Sequence, residues 1–288
     1  MTKDDSYSIG NLQLRSSIGP IASRGEIEEF EKANQIEKCP DSFFISNKLV
    51  VQSPSFQLVF NSPEAVVLLK QSALQKKLRD KALLSDDLGV SFEDLPFIFP
   101  KDLKLPCSTE WKQKNFGNGS CQFEEQVIDQ DWTHLSHYRG SLKPSPSFAY
   151  TVTPAIKPIP KERLSTANKI LHYKDIFMYE DDLGDFGYSQ VRLRIRVQAD
   201  SVFILMRSYV RVDNLCIRSI DNRLFYDLAT EEIIREMSFL ESSYESLIAK
   251  GFVFDGGFNI DENQADVVAP YLNIVCTSTD VVTFHKSE

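Results

Sequence analysis

The sequence predicts an α+β fold in which an antiparallel β-meander is flanked by helices. First, residues 189–227 contain four strand-like stretches separated by the short segments QADS, DN and DN. Connections this short allow only antiparallel neighbours. Second, helix-start signals occur on both sides of this region. Third, a composition of 42% hydrophobic and 25% charged residues is typical of a globular protein.

The N-terminal part of the chain predicts two helices and two strands. Residues 23–38 are charged but carry apolar residues at helical spacing, which predicts the first helix. Residues 47–61 predict two short strands around a Ser-Pro turn. The second helix should begin at Ser62 as N-cap, with Glu64 in its first turn, where the helix dipole favours negative charge.

The remaining segments alternate between loops and regular elements. Residues 84–120 mix Asp, Pro and Gly with isolated aromatics, which predicts a loop-rich insertion. After the meander, apolar residues at helical spacing predict a helix between Thr230 as N-cap and Gly251 as terminator. Residues 271–284 predict a last strand. We expect all 288 residues to form a single domain that carries the insertion.

Composition excludes several classes of protein. A net charge of −9 and a pI near 5.1 argue against nucleic-acid binding, which needs a broad basic surface. No apolar run approaches the roughly 20 residues of a membrane helix, and the N-terminus lacks the apolar core of a secretory signal. The five cysteines form no C-x-x-C pair. We therefore expect reduced thiols in a cytoplasmic protein that also enters the nucleus.

Arginines are concentrated in the meander, where residues 189–227 contain seven arginines and no lysine. Two-residue turns at 199–200, 213–214 and 221–222 would fix the strand register, and residues that are directly opposite each other share a face of a sheet. On this register all seven arginines lie on one face, together with aromatic and aliphatic side chains. The predicted face holds Arg192, Arg194, Arg196, Arg207, Arg211, Arg218 and Arg223 with Phe203, Leu205, Tyr209 and Phe225.

Such a face would suit an external acidic ligand, because arginine binds carboxylates through two prongs and stacks on aromatic rings. Internal pairing is the alternative, since Glu180, Asp181, Asp182 and Asp185 lie just before the meander. Both interpretations can hold for different arginines.

Signals for an enzyme are weak. His134 and His137 lie near Asp131 and invite a metal site, but no further His or Cys cluster completes a ligand shell. There is no G-x-S-x-G elbow, and the DGGFN segment at 255–259 lacks the lysine and spacing of a P-loop. We expect a non-enzymatic protein without metal or cofactor. A metal- or carboxylate-dependent hydrolase remains an alternative.

Four segments carry a family resemblance: DWTHLSHYRGSL, MYEDDLGDFG, RIRVQADSVFILMRSYVRVDNLCIR and DNRLFYD. They resemble the TIP-like (TIPRL) family of TOR-pathway regulators in order and spacing from about residue 130 to 230. A looser match runs from residue 8, through LVFNSPEA, to the end. Residues 72–106 look like an insertion that the animal members lack, so nothing is carried over there.

The resemblance implies a regulator that binds catalytic subunits of type 2A protein phosphatases. It implies a cleft for the phosphatase's C-terminal tail, which ends in a free carboxylate after an aromatic residue. Other TOR-pathway phosphatase adaptors are further expected partners, whereas nucleic acids and membranes are not. A generic adaptor for acidic peptides is the alternative function.

The expected phosphatase-binding residues combine the arginine-rich face with positions carried over from the family. Glu64, Ile159 and Asp221 match positions implicated in phosphatase contact, although Asp221 could equally be a turn residue. The basic and aromatic members are Arg194, Arg196, Arg207, Tyr209, Arg211, Arg218 and Arg223.

Overall fold

The computed structural model describes residues 2–68, 135, 138–155, 158–164, 168–183, 187–254 and 264–287. The predicted insertion at 84–120 lies outside the described residues, as do Asp131, His134, His137 and Asp185. The 255–259 segment also lies outside them.

The described strands form two antiparallel sheets, which confirms the predicted α+β class with a meander. Strands are numbered along the chain. Sheet A has the order β1-β2-β4-β5-β6, and sheet B has the order β3-β8-β9-β10-β11-β12-β13-β7. Sheet A consists of β1 Lys3–Ile9, β2 Leu12–Ile18, β4 Lys48–Gln52, β5 Phe56–Asn61 and β6 Ser141–Pro144. Sheet B consists of β3 Ser42–Phe43, β7 Phe148–Pro154, β8 His172–Asp181, β9 Gly187–Val197, β10 Ser201–Val212, β11 Cys216–Asp227, β12 Ile233–Ser243 and β13 Asn273–Lys286.

The described helices are short and lie outside the two sheets. They are α1 Arg24–Asn34, α2 with the described residues 62–68, α3 Tyr244–Ala249 and α4 Gln264–Val268. The first predicted helix is present as α1, and Ser23 caps it through a reciprocal capping box with Glu26. No helix in the described part of the chain is long and apolar enough to cross a membrane.

The start of α2 differs by one residue from the prediction. Asn61, not Ser62, is the N-cap, because its Oδ1 accepts a hydrogen bond of 2.8 Å from the Glu64 backbone N–H. Ser62 is buried, and its hydroxyl lies 3.1 Å from the sulfur of Met178 in sheet B. The helix is therefore anchored against the core from its first residue.

The main hydrophobic core lies between the sheets. Sheet A contributes buried side chains such as Leu14, Leu49 and Phe60, and sheet B contributes the predicted apolar face of the meander. In β9 this face carries Leu193 and Ile195, which are both essentially inaccessible. The opposite face of sheet B, which carries most of the arginines, is consequently turned away from sheet A.

The predicted helix after Thr230 is wrong, because residues 233–243 form β12 between β11 and β13. Phe239 packs into the main core, whereas Leu240 packs into a second apolar cluster on the other face. A strand that is buried on both faces loses the alternation that identifies strands, and its apolar positions then mimic helical spacing. The helix is confined to α3, and Gly251 follows it with φ +84°.

The predicted turn at 221–222 is also wrong, since β11 runs without interruption through both residues. The β10–β11 connection has three residues rather than two, with Asn214 at φ +60° and Val212 paired with Cys216. This shifts the predicted register by one residue, and a one-residue shift exchanges the two faces of a strand. As a result, Ile217 and Arg218 lie on the faces opposite to those predicted.

Candidate functional site: the arginine face

We call the side of sheet B that faces away from sheet A the arginine face. The β9–β10 register is as predicted, with Arg196 opposite Phe203, Arg194 opposite Leu205 and Arg192 opposite Arg207. Six of the seven meander arginines share this face: Arg192, Arg194, Arg196, Arg207, Arg211 and Arg223.

Arg218 is the exception, because it pairs across the ladder with Val210 and Glu241 on the core-facing side. Its side chain is buried, and its Nε bonds the Glu241 carboxylate. The prediction that Arg218 joins the other arginines on one face is wrong.

A chain of ion pairs crosses the arginine face. It begins on β8, where Asp175 accepts two hydrogen bonds of 2.6 Å from Arg192 and lies 3.4 Å from Nε of Arg194. Both Nη groups of Arg194 donate to the carboxylate of Asp266 in α4, and Nη1 lies 2.7 Å from Oδ1. Asp266 therefore connects a helix outside the sheet to β9.

The chain of ion pairs continues across β10, β11 and β12. Arg207 reaches Asp266 at 2.6 Å with Nη1 and binds Asp221 with Nε and Nη2, both at 2.7 Å. Arg223 bonds Asp221 at 2.7 Å and Glu236 at 2.9 Å. Among the described residues, four arginines and four carboxylates thus balance one another: Arg192, Arg194, Arg207 and Arg223 with Asp175, Asp221, Glu236 and Asp266.

Asp221 is the buried centre of this network. Its side chain is 1% exposed and also accepts a hydrogen bond of 3.1 Å from the Ser219 hydroxyl. Burial alone would raise the pKa of the Asp221 carboxyl, but the hydrogen bonds and charge of Arg207, together with the charge of Arg223, outweigh burial. The pKa of Asp221 therefore lies below its usual value, and the group stays ionised.

Internal pairing of the arginines is confirmed, but the network uses other acids than those predicted. Glu180 accepts a hydrogen bond from the Tyr188 hydroxyl, and Asp181 accepts one of 2.8 Å from the Leu183 backbone N–H. The carboxylates of the network come from β8, β11, β12 and α4 instead. The position of Asp175 on this face could have been predicted by pairing β8 with β9 and continuing the alternation of side chains along β8. No sequence pattern indicates that Asp266 contacts Arg194.

One end of the arginine face is covered by a second apolar cluster. Tyr209 is buried there with Tyr188 and Ile217 and packs in one cluster with Leu247 and Val268. Burial raises the pKa of the Tyr209 hydroxyl.

Arg211 lies at the same end of the face. It is buried, and its Nε is 2.7 Å from the Asp213 carboxylate. The structure therefore places Tyr209 and Arg211 under the surface rather than in an open cleft.

The other end of the face, around Arg196, is only partly covered, and we call it the open end. Its Nη1 donates a hydrogen bond of 2.8 Å to the Leu164 carbonyl, and no carboxylate of the described residues lies within ion-pair distance of it. Tyr173, which pairs across the ladder with Arg196, is 49% exposed. Phe203 is half-buried on the opposite neighbouring strand. This end combines an available cation with aromatic surface.

Glu64 lies away from the arginine face, whereas Ile159 comes shortly before Leu164, whose carbonyl accepts the hydrogen bond from Arg196. The Glu64 carboxylate accepts hydrogen bonds from Tyr138, at 2.7 Å, and from Ser141, and so ties the start of α2 to β6 on the sheet A side. Ile159 is buried just before the 3-10 turn Lys161–Leu164. The structure does not bring either residue into the arginine network, and their contact with a phosphatase stays a prediction.

Three carboxylates outside the arginine face lie close together. Oxygens of Asp41, Asp181 and Asp182 are within 4.8 Å of one another. Lys38 pairs with Asp41 at 3.2 Å, and the Asp41 backbone N–H donates to Asp181 at 3.2 Å. These contacts give the cluster partners within the chain. The predicted metal candidates His134 and His137 lie outside the described residues.

Comparison with known proteins assigns the family. The sequence profile of the TIP41-like family matches residues 43–248, which is more than two thirds of the 288 residues. The TIP41-like protein of Dictyostelium discoideum is 28% identical over 251 residues, covering 82% of this chain and 79% of that protein. The type 2A phosphatase activator tip41 of Schizosaccharomyces pombe is 27% identical over 249 residues, covering 86% of each chain.

The budding-yeast relative gives the same assignment. The type 2A phosphatase activator TIP41 of Saccharomyces cerevisiae is 27% identical over 261 residues, covering 85% of this chain and 65% of that protein. The family profile and these relatives agree with the resemblance carried by the sequence motifs. The chain belongs to the TIP41-like family.

Proposed function

We propose that this protein is a non-enzymatic regulator of type 2A protein phosphatases that binds their catalytic subunit. Two yeast relatives are named type 2A phosphatase activators, which supports a role in regulating these phosphatases. Action within TOR signalling, in the cytoplasm and nucleus, is part of the same proposal and follows from the motif resemblance.

The observation that carries the binding mode is the environment of Arg196. A guanidinium group has five N–H donors, and Nη1 of Arg196 is engaged by the neutral Leu164 carbonyl. The remaining donors can bind a carboxylate, and charge-assisted bonds of this kind are the stronger ones. Tyr173 and Phe203 on the flanking strands offer ring surface for an aromatic residue. We propose that the phosphatase tail places its terminal carboxylate on Arg196.

The paired arginines have a different role in this proposal. Arg207 is held by Asp221, and Arg192 is held by Asp175. Arg223 is held by both Asp221 and Glu236. With Glu236 included, three carboxylates balance these three arginines. These pairs keep β8 to β11 in register beneath the tail. The tail contacts themselves begin at the open end of the face, at Arg196.

A binding assay with purified proteins tests this function. Immobilised protein should retain a full-length type 2A catalytic subunit and should retain a tail-deleted catalytic subunit more weakly. A type 1 catalytic subunit serves as the control and should not be retained. Absence of retention of the full-length type 2A subunit would contradict the proposal, and equal retention of unrelated acidic peptides would favour a generic adaptor.

A further inference from the structure

Asp266 occupies a position that suits a ligand carboxylate. Both Nη groups of Arg194 point at its two oxygens, and Nη1 of Arg207 bonds Oδ1 at 2.6 Å. Two guanidinium groups from adjacent strands thus converge on one carboxylate that comes from outside the sheet. Converging arginines of this kind are a common arrangement for recognising carboxylates.

Asp266 differs from Asp221, the other carboxylate that Arg207 binds. Asp221 lies within β11, and its side chain is 1% exposed, so it cannot reach solvent without displacing the groups packed around it. Asp266 lies on the five-residue helix α4, and its side chain is 31% exposed. Ala265 and Val268 are buried and anchor α4. The Asp266 side chain can therefore turn towards solvent while the helix stays in place.

The site that Asp266 fills adjoins the open end of the arginine face. Arg194 and Arg196 are two residues apart on β9 and share a face, so their Cα atoms are about 6.6 Å apart. Asp175, which contacts Arg194, also accepts a hydrogen bond of 3.2 Å from the Tyr173 hydroxyl. A tail bound at Arg196 would consequently lie beside the Arg194–Asp266 pair.

We propose that Asp266 is an internal competitor that occupies the Arg194–Arg207 carboxylate site and lowers the affinity for an acidic tail. The inference rests on the proposed function, because it concerns the same face and the same ligand. An incoming carboxylate must displace Asp266 to reach Arg194, and the apparent affinity is reduced by the fraction of molecules in which Asp266 is bound.

Substitution of Asp266 tests this inference directly. Asp266→Asn and Asp266→Ala should each bind a peptide copying the phosphatase tail about 5- to 10-fold more tightly than the unmodified protein, which is within the usual range of coupling between sites. Isothermal titration with free and amidated peptides would show whether the gain requires the terminal carboxylate. Thermal unfolding of each variant would verify that it is folded.

Glu241→Gln is the matched control. Like the Asp266 variants, it removes one negative charge from a carboxylate that pairs with an arginine. The Glu241 side chain is 35% exposed and that of Asp266 is 31% exposed, but the partner of Glu241, Arg218, lies on the other face of the sheet. Its affinity for the tail peptide should equal that of the unmodified protein.

The outcomes separate the inference from the proposed function. Unchanged or weaker binding by both folded Asp266 variants, while the unmodified protein binds the tail, would overturn the inference alone. Failure of the unmodified protein and of both variants to bind would overturn the inference and the proposed tail binding together. Tail binding gained only by the variants would support the inference in its strongest form.

Discussion

Replacing Asp221 with asparagine is expected to destabilise the fold by about 3–5 kcal/mol, the usual cost of removing one partner of a buried ion pair. Asp221 accepts hydrogen bonds of 2.7 Å from both Arg207 and Arg223. The substitution leaves their charges in a buried region with one carboxylate fewer. Urea unfolding followed by circular dichroism would measure the change in free energy of unfolding.

Asp200→Asn is the control for this prediction. Asp200 also pairs with an arginine, Arg163, but its side chain is 57% exposed. An exposed pair contributes at most about 1 kcal/mol, so the control should change stability by less than that. Equal effects of the two substitutions would contradict a central role for Asp221.

The Asp221 carboxylate also makes the stability of the folded protein depend on pH. Because the pKa of Asp221 is lower in the folded protein than its unfolded value of about 3.9, its stabilising contribution is present above that value. The contribution is lost as the pH falls through the lowered folded pKa. The stability of the unmodified protein should therefore fall more steeply below about pH 4 than that of Asp221→Asn.

Replacing Gly187 with alanine is expected to destabilise the protein by about 3 kcal/mol or more, at the upper end of overpacking effects. Gly187 begins β9 opposite Val212, and an added Cβ would lie 2.0 Å from the Arg211 carbonyl oxygen. Backbone atoms cannot rotate away as a flexible side chain can, so β9 and β10 would have to separate. Urea unfolding again provides the measurement.

Gly25→Ala is the matched control, because it makes the same substitution in α1, where an added Cβ meets no atom within 4 Å. Alanine is preferred to glycine in a helix, so the control should be neutral or stabilising by up to about 1 kcal/mol. If Gly187→Ala were as stable as Gly25→Ala, the close approach of β9 and β10 would be wrong.

The parts of the fold that follow local rules were predictable from the sequence. Strict alternation in β9 and β10 and the short QADS connection led to the correct register and placed Arg194 opposite Leu205. The β10–β11 register could not be predicted in the same way, because Asn214 adopts φ +60° and extends the loop to three residues. Local sequence favours Asp-Asn turns, but burial of Asp221 against arginines keeps β11 extended through that position.

The candidate site was only partly predictable. Clustering of arginines on one face follows from alternation, whereas the identity of their partners depends on tertiary contacts. Asp266 reaches Arg194 from 72 residues further along the chain, and no periodic pattern marks that contact. The exposure of the Arg196 side chain likewise depends on tertiary packing, because it is set by which segments of the chain lie over that end of the face. Arg207 and Arg211 are buried, so their charge reversal would report folding rather than binding.

The affinity of Arg196→Glu for the phosphatase tail tests the central claim most directly. Arg15→Glu is the control, because Arg15 is an exposed strand arginine that bonds the neutral side chain of Gln52 in sheet A. We expect the unmodified protein and Arg15→Glu to bind the free-acid peptide more tightly than the amidated one. Arg196→Glu should bind the free-acid peptide about 10-fold more weakly and lose that preference, as expected for a partly exposed charge pair. Equal affinities of Arg196→Glu and the unmodified protein for the free-acid peptide would contradict the account.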